Sequence, residues 1–223
     1  MIGRLFYLVR DTILSPCAMF RSARVNLLRN NTVRKPGGYV YFRSYSIADV
    51  HHSAKIHVEG HSNYGFKKYR GSRLETSLWM DAGAEFHIGG AGRGVSVYHG
   101  CDIQIFKNAV LKIEGPSILN RGAQIICQDS ISIGQGCLIS RDVVIRDNDG
   151  GHTVLVDGYK KTAPVTIGNH VWIGQGALIL KGSIIGDGAI IGAGAIVAGR
   201  VKANSLVMAD PSRTFAKDIK WEP

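Results

Sequence analysis

One histidine, His152, lies in the polar, glycine-rich stretch VIRDNDGGHTVLVDG (residues 144–158), shortly after Asp147 and Asp149. A neutral imidazole, with an ordinary pKa of about 6.5, can take a proton from a poor nucleophile near neutral pH. The ring nitrogen not in use needs a partner that sets its tautomer, and Asp147, Asp149 or a loop carbonyl could provide it. The trio therefore suits general-base chemistry. Three other uses of such residues fail. A calcium loop begun at Asp147-Asn148-Asp149 needs Glu at its twelfth position, where Gly158 stands. Cys137, as an acylating nucleophile, falls on an apolar ladder position that wants a small buried residue. For zinc, His170 follows His152 by eighteen residues, but Gln175 occupies the place of a close second ligand. The other histidines (51, 52, 57, 61, 87 and 99) are scattered along the less regular part of the chain, so no zinc triad is legible and no metal is expected.

The stretch interrupts a strict pattern. Ile167, Ile173, Ile179, Ile185, Ile191 and Val197 recur every six residues, and Gly168, Gly174, Gly186 and Gly192 directly follow four of them. Val171, Ala177, Ser183, Ala189 and Ala195 stand two positions before the later ladder residues. Neither the helical period of 3.6 nor simple strand alternation produces a strict six. Hexapeptide repetition marks a parallel β-helix, in which three short strands make one triangular coil and the aliphatic residues stack inward. A rougher version of the rhythm runs through Ile113, Ile125 and Ile131, then through Ile133, Ile139 and Ile145. From Ile145 to Ile167 is 22 residues, so the register breaks at the loop that carries His152. Long loops inside a compact solenoid usually serve a function.

The chain divides into four parts: 1–35 as an N-terminal helical segment, 36–110 as irregular early coils, 111–205 as the hexapeptide β-helix with a loop at 146–166, and 206–223 as a C-terminal tail and short helix. Ile2, Leu5, Phe6, Val9 and Ile13 fall at helical spacing and predict an amphipathic helix, packed on its own domain or touching a membrane surface. Charged residues within this segment argue against a signal peptide, and no apolar run reaches the length that spans a bilayer. Four cysteines without metal-type spacing read as reduced thiols of a cytoplasmic protein. Lys and Arg number 27 against 17 Asp and Glu, a net +10 that favours anionic partners.

The run VTIGNHVWIGQGALILKGSIIGDGAIIGAGAIV, with the following NSLVMADPSRTFAKDIKW, closely resembles the hexapeptide-repeat acetyltransferases, most of all the bacterial polysaccharide O-acetyltransferases. The resemblance is strong from about residue 111 to 221. It implies an all-β solenoid, a left-handed parallel β-helix, assembled as a homotrimer with sites between subunits. It implies acetyl-CoA as co-substrate and a glycan acceptor, anionic or lipid-linked, in the cytoplasm or at the inner face of the membrane. His152, in RDNDGGH, matches the family's catalytic histidine, although two glycines separate it from Asp149 where one residue is usual. Asn120 matches an acceptor-contacting asparagine, with a turn-satisfying role as its alternative. Trp172 matches an aromatic that shapes the acceptor and acetyl-CoA channel. Gln175, Ala193, Ala198 and Gly199 fall where relatives hold the pantetheine arm, and Arg213 where a cation meets the nucleotide phosphates. The usual Thr-Lys pair is replaced by Ala198-Gly199, so Arg200 or Lys202 is a candidate for the missing charge.

The resemblance leads to acetyl transfer from acetyl-CoA to a sugar hydroxyl of a surface polysaccharide or its precursor. His152 acts as base in a ternary complex and a backbone N–H holds the oxyanion. N-acetylation of a nucleotide-linked amino sugar is the alternative, because an amine uses a similar base. A nucleic-acid binder rests on charge alone and has no supporting motif.

Overall fold

The computed structural model describes residues 16–66, 73–151 and 155–209. The chain winds as a left-handed parallel β-helix with three flat faces. The first face stacks eight strands from Thr32–Arg34 to Arg200–Val201, the second eight from Tyr39–Phe42 to Leu206–Val207, and the third seven from Ser46–Val50 to Ile196–Val197. All neighbours on a face run parallel, each hydrogen-bonded to the coil above and below.

The six-residue ladder does what its spacing requires. Ile167 stacks on Ile185, Ile173 on Ile191 and Ile179 on Val197, and each of these side chains is buried. The small residues two positions earlier, Val171, Ala177, Ser183, Ala189 and Ala195, are buried with them. Two inward side chains per hexapeptide fill a narrow triangular core, and each buried isoleucine contributes about 1.5–3 kcal/mol. Coils are held close where a corner has no side chain. A Cβ on Gly174 would lie 2.6 Å from the Ala193 nitrogen of the next coil.

Coil length is constant only over a short span. Thr166 stands beside Ile184, eighteen residues on, but Ile118 beside Leu138, Ser77 beside Asp102 and Lys55 beside Glu85 mark coils of twenty, twenty-five and thirty residues. The early strands are four to six residues long on most faces, where the late ones have two. Extra residues lengthen strands and corners, so the stacked three-faced form survives without a fixed sequence period. Ile133 pairs with Ile167, thirty-four residues later, so this coil holds sixteen more residues than its successor. Those residues are the loop with His152.

A helix, Pro16–Ala23, and a π-helical turn, Arg24–Leu28, close the N-terminal end. Asn26 is buried and mimics a strand edge: its amide donates to the Val40 carbonyl at 2.8 Å and its oxygen accepts from the Val40 N–H at 2.9 Å. Ser22 accepts from the Phe42 N–H at 3.0 Å, and the Arg29 guanidinium donates to the carbonyls of Val50 and His51. These contacts satisfy backbone groups that the first coil would otherwise leave open. The helix expected over Ile2–Ile13 and the C-terminal helix lie outside the described residues. Among the described residues no helix is long and apolar enough to cross a membrane. All four cysteines are free thiols; Cys17 is exposed and the other three are buried.

Candidate active site

The loop leaves the corner between the third face, at Val144–Arg146, and the first face, at Val165–Ile167. Two aspartates at its root point opposite ways. Asp147 is fully buried, and its carboxylate accepts from the backbone N–H groups of Gln128 and Asp129, both at 2.8 Å, and from the Asn148 amide at 3.0 Å. Its carbonyl accepts from the Ala163 N–H, where the loop returns. Asp149 faces outward and accepts from the Lys181 ammonium and the Tyr159 hydroxyl, with Lys181 4.5 Å from the Tyr159 ring centroid. Hydrogen bonding from Lys181, then from Tyr159, holds the Asp149 carboxyl below its ordinary range, and the same contact raises the Lys181 pKa. With an antiparallel bridge between Asn148 and Thr162, these contacts clasp the stem of the loop. His152, within the loop sequence, lies outside the described residues.

A second feature occupies a different edge. Where the second face turns into the third, a cleft of about 620 Å³ is lined by Tyr98, His99, Asn120, Arg121, Ser140, Arg141, Trp172, Gly174, Gln175 and Ala193, among others. Four residues expected at the site therefore converge here: Asn120, Trp172, Gln175 and Ala193. Trp172 is 51% exposed, because its strand position points away from the narrow core, and its indole N–H donates to Ser140 Oγ at 3.3 Å. A broad aromatic wall beside glycine and alanine leaves room for a thin extended chain against the backbone. The two guanidiniums add positive charge suited to an anionic group.

Ala198 and Gly199 do not join the cleft. They turn from Ile196–Val197 into Arg200–Val201, on the same edge as the loop stem. Arg200 and Lys202 border that turn, and Arg213 lies outside the described residues. The sequence reading passed over Tyr98, His99, Arg121, Ser140 and Arg141. The two arginines had a signal: LNRGA and LISRDV repeat an arginine at the same corner of coils twenty residues apart. His99 had none. It is 2% exposed, its Nδ1 lies 3.3 Å from the Phe66 carbonyl oxygen, and its buried Nε2 has no hydrogen-bond partner among the described residues. Cys137 is buried with its thiol directed at the Gly168 carbonyl, and burial raises its pKa, as expected of a packing residue.

Residues 164–199 match the family profile described as bacterial transferase hexapeptide (six repeats), so this part of the chain carries that repeat. No curated protein matches the sequence. Among solved structures the chain is similar to the polySia-specific acetyltransferase NeuO, at 20% identity over 86% of this chain and 85% of that one, with a TM-score of 0.47. It is similar to AntD, an N-acyltransferase from Bacillus cereus in complex with dTDP-4-amino-4,6-dideoxyglucose and coenzyme A, at 13% identity over 83% of each chain and a TM-score of 0.49. The polysialic acid O-acetyltransferase OatWY is similar at 18% identity over 86% of this chain and 90% of that one, with a TM-score of 0.44.

Proposed function

We propose that the protein is an acyltransferase that moves acetyl from acetyl-CoA to a hydroxyl of a surface polysaccharide or its precursor, on the cytoplasmic side of the membrane. The observation that carries this reading is the pairing of the transferase hexapeptide repeat with the Trp172 cleft in its coils and a sixteen-residue insertion before them. His152 accepts the proton of the sugar hydroxyl as its oxygen attacks the thioester carbonyl, and returns it to the departing thiolate. The narrow floor at Gly174 and Ala193 fits the pantetheine arm, Gln175 and Trp172 flank it, and Arg121 and Arg141 meet phosphate or an anionic acceptor. Asn120 contacts the acceptor. Asp147, already committed within its coil, holds the loop root, and Asp149 steadies the stem.

The loop and the cleft sit on different edges of one prism, so the reading is of a homotrimer whose loop closes on the neighbour's cleft. Ala198 and Gly199 then face that cleft from the loop-bearing chain, and Arg213 extends the cationic contact to the nucleotide.

The test is release of CoA thiol from acetyl-CoA by wild type and His152→Ala, over a panel of oligosaccharides and amino-sugar nucleotides. Release with a hydroxyl acceptor, lost in a folded His152→Ala, is expected. Release with amino sugars alone would move the protein to N-acetylation. An unchanged rate in His152→Ala would remove the base from the mechanism.

A further inference from the structure

A second cluster of reactive side chains lies on the first face, away from the cleft. Strands Lys55–Val58 and Glu85–Ile88 are neighbours, in a register that sets Lys55 beside Glu85 and His57 beside His87. Ile56, Val58, Phe86 and Ile88 point into the core, so the alternation of a strand turns the two histidines and Glu85 outward. The imidazoles stack with ring centroids 4.1 Å apart and planes within 2°. Glu85 divides its carboxylate: Oε1 accepts from the Lys55 ammonium at 3.0 Å, while Oε2 lies 3.5 Å from His87 Nε2 and 4.0 Å from His57 Nε2. His57 Nε2 is itself buried and makes no hydrogen bond among the described residues.

We propose that His57, Glu85 and His87 bind a divalent transition-metal ion of the zinc class. One donor atom from each residue lies within 4.8 Å of the others. Zinc bonds of about 2.0–2.1 Å in a tetrahedron set neighbouring donors about 3.4 Å apart. The Glu85–His87 spacing of 3.5 Å is close to that value, and a tilt of the two partly exposed rings toward each other closes the remainder. Two imidazoles with one carboxylate suit zinc, cobalt or nickel rather than the oxygen-seeking calcium and magnesium. Lys55 holds the carboxylate so that its second oxygen faces the rings, the orienting role that an outer partner plays at metal centres. Open coordination positions and a route in come from a groove of about 440 Å³ above the pair. Its bordering charges are spent on each other, in the ion pairs Lys35–Glu59 and Lys112–Glu114. The ion ties adjacent strands across a thirty-residue coil and so clips a long, sequence-irregular part of the prism.

The test uses the full chain, stripped with chelator, and cobalt as a visible probe with zinc in competition. One ion per chain is expected, with ligand-field absorption of a nitrogen–oxygen site and a rise in melting temperature on adding zinc. His57→Gln and His87→Gln should each weaken binding at least tenfold and abolish the thermal shift, with far-ultraviolet circular dichroism unchanged. The double variant of the other close histidine pair, His51→Gln with His52→Gln, should leave binding intact. Equal affinity in wild type and His87→Gln, or loss of the ion only in the His51–His52 variant, would overturn the assignment. Should His87→Gln fail to fold, the wild-type stoichiometry and the folded His57→Gln decide the matter.

Discussion

The two edges of the prism that carry the candidate chemistry are built on different principles. At the loop edge, polar groups satisfy one another: Asp147 ties down backbone N–H groups and Asp149 closes a clasp with Lys181 and Tyr159. At the cleft edge, polar groups are left facing space. Trp172 is half exposed, Arg121 and Arg141 line the opening, and His99 keeps a buried nitrogen without a partner among the described residues. A satisfied edge serves to place a residue, and an unsatisfied one to receive a ligand, because buried or converging polar groups are costly until something pairs with them. On the proposed reading, the difference gives positioning to one edge and binding to the other, and a trimer would bring the two together.

The sharpest way to break this division is at His152. His152→Ala should lower turnover about 10²–10⁴-fold, the usual worth of a general base, with an unchanged melting curve. Trp172→Ala should be impaired through binding instead. If the edges combine between subunits, co-expressing the two variants should restore activity to about a quarter of wild-type sites, since each site draws its base and its cleft from different chains. No recovery in mixed oligomers would place both on one chain.

The two aspartates give the next largest contrast. Asp147→Ala strips the buried acceptor from the N–H groups of Gln128 and Asp129 and should cost about 2–4 kcal/mol of stability in urea unfolding. Asp149→Asn, at the surface, should leave that midpoint nearly in place. In the cleft, Arg121→Gln and Arg141→Gln should each raise the KM for acetyl-CoA or an anionic acceptor roughly tenfold, with kcat held, as loss of a charge-assisted bond predicts.

The smallest effect is one of pH. Because the folded Asp149 carboxyl sits below its ordinary 3.8, the clasp contributes fully above that value and is lost as pH falls through the lowered folded pKa. Pepsin should therefore cut the 146–166 loop more slowly in wild type than in Asp149→Asn near pH 3.8, and the two rates should converge in stronger acid. Parallel rates at every pH would mean that the clasp does not govern the loop.

Much of the fold was legible. The inward residues of 167–197 follow from the six-residue period, since six residues carry the chain from one side of a triangular coil to the equivalent position on the next, and eighteen return it to the same side. The break before Ile167 was legible too, and the structure shows it as a thirty-four-residue coil. The early coils were harder to read, because their lengths of twenty to thirty-three residues erase the period while their strands still stack. At the site, Asn120, Trp172, Gln175 and Ala193 meet in one cleft, whereas Ala198 and Gly199 stand on the loop edge. Asp147 and Asp149 read alike in the sequence, and only their surroundings tell them apart, one buried on backbone N–H groups and the other in a surface clasp.

The amino-acid sequence by itself determined the solenoid, its apolar ladder and the placing of one histidine in one interrupting loop, because these depend on spacing along the chain. Only the tertiary structure decided which residues of different coils meet: Arg121 with Arg141 and Trp172 in the cleft, and His57 with Glu85 and His87 on the first face. The physical reason is that lateral neighbours in a β-helix are set by hydrogen-bond register between coils. When coil length varies from sixteen to thirty-four residues, that register cannot be counted from sequence.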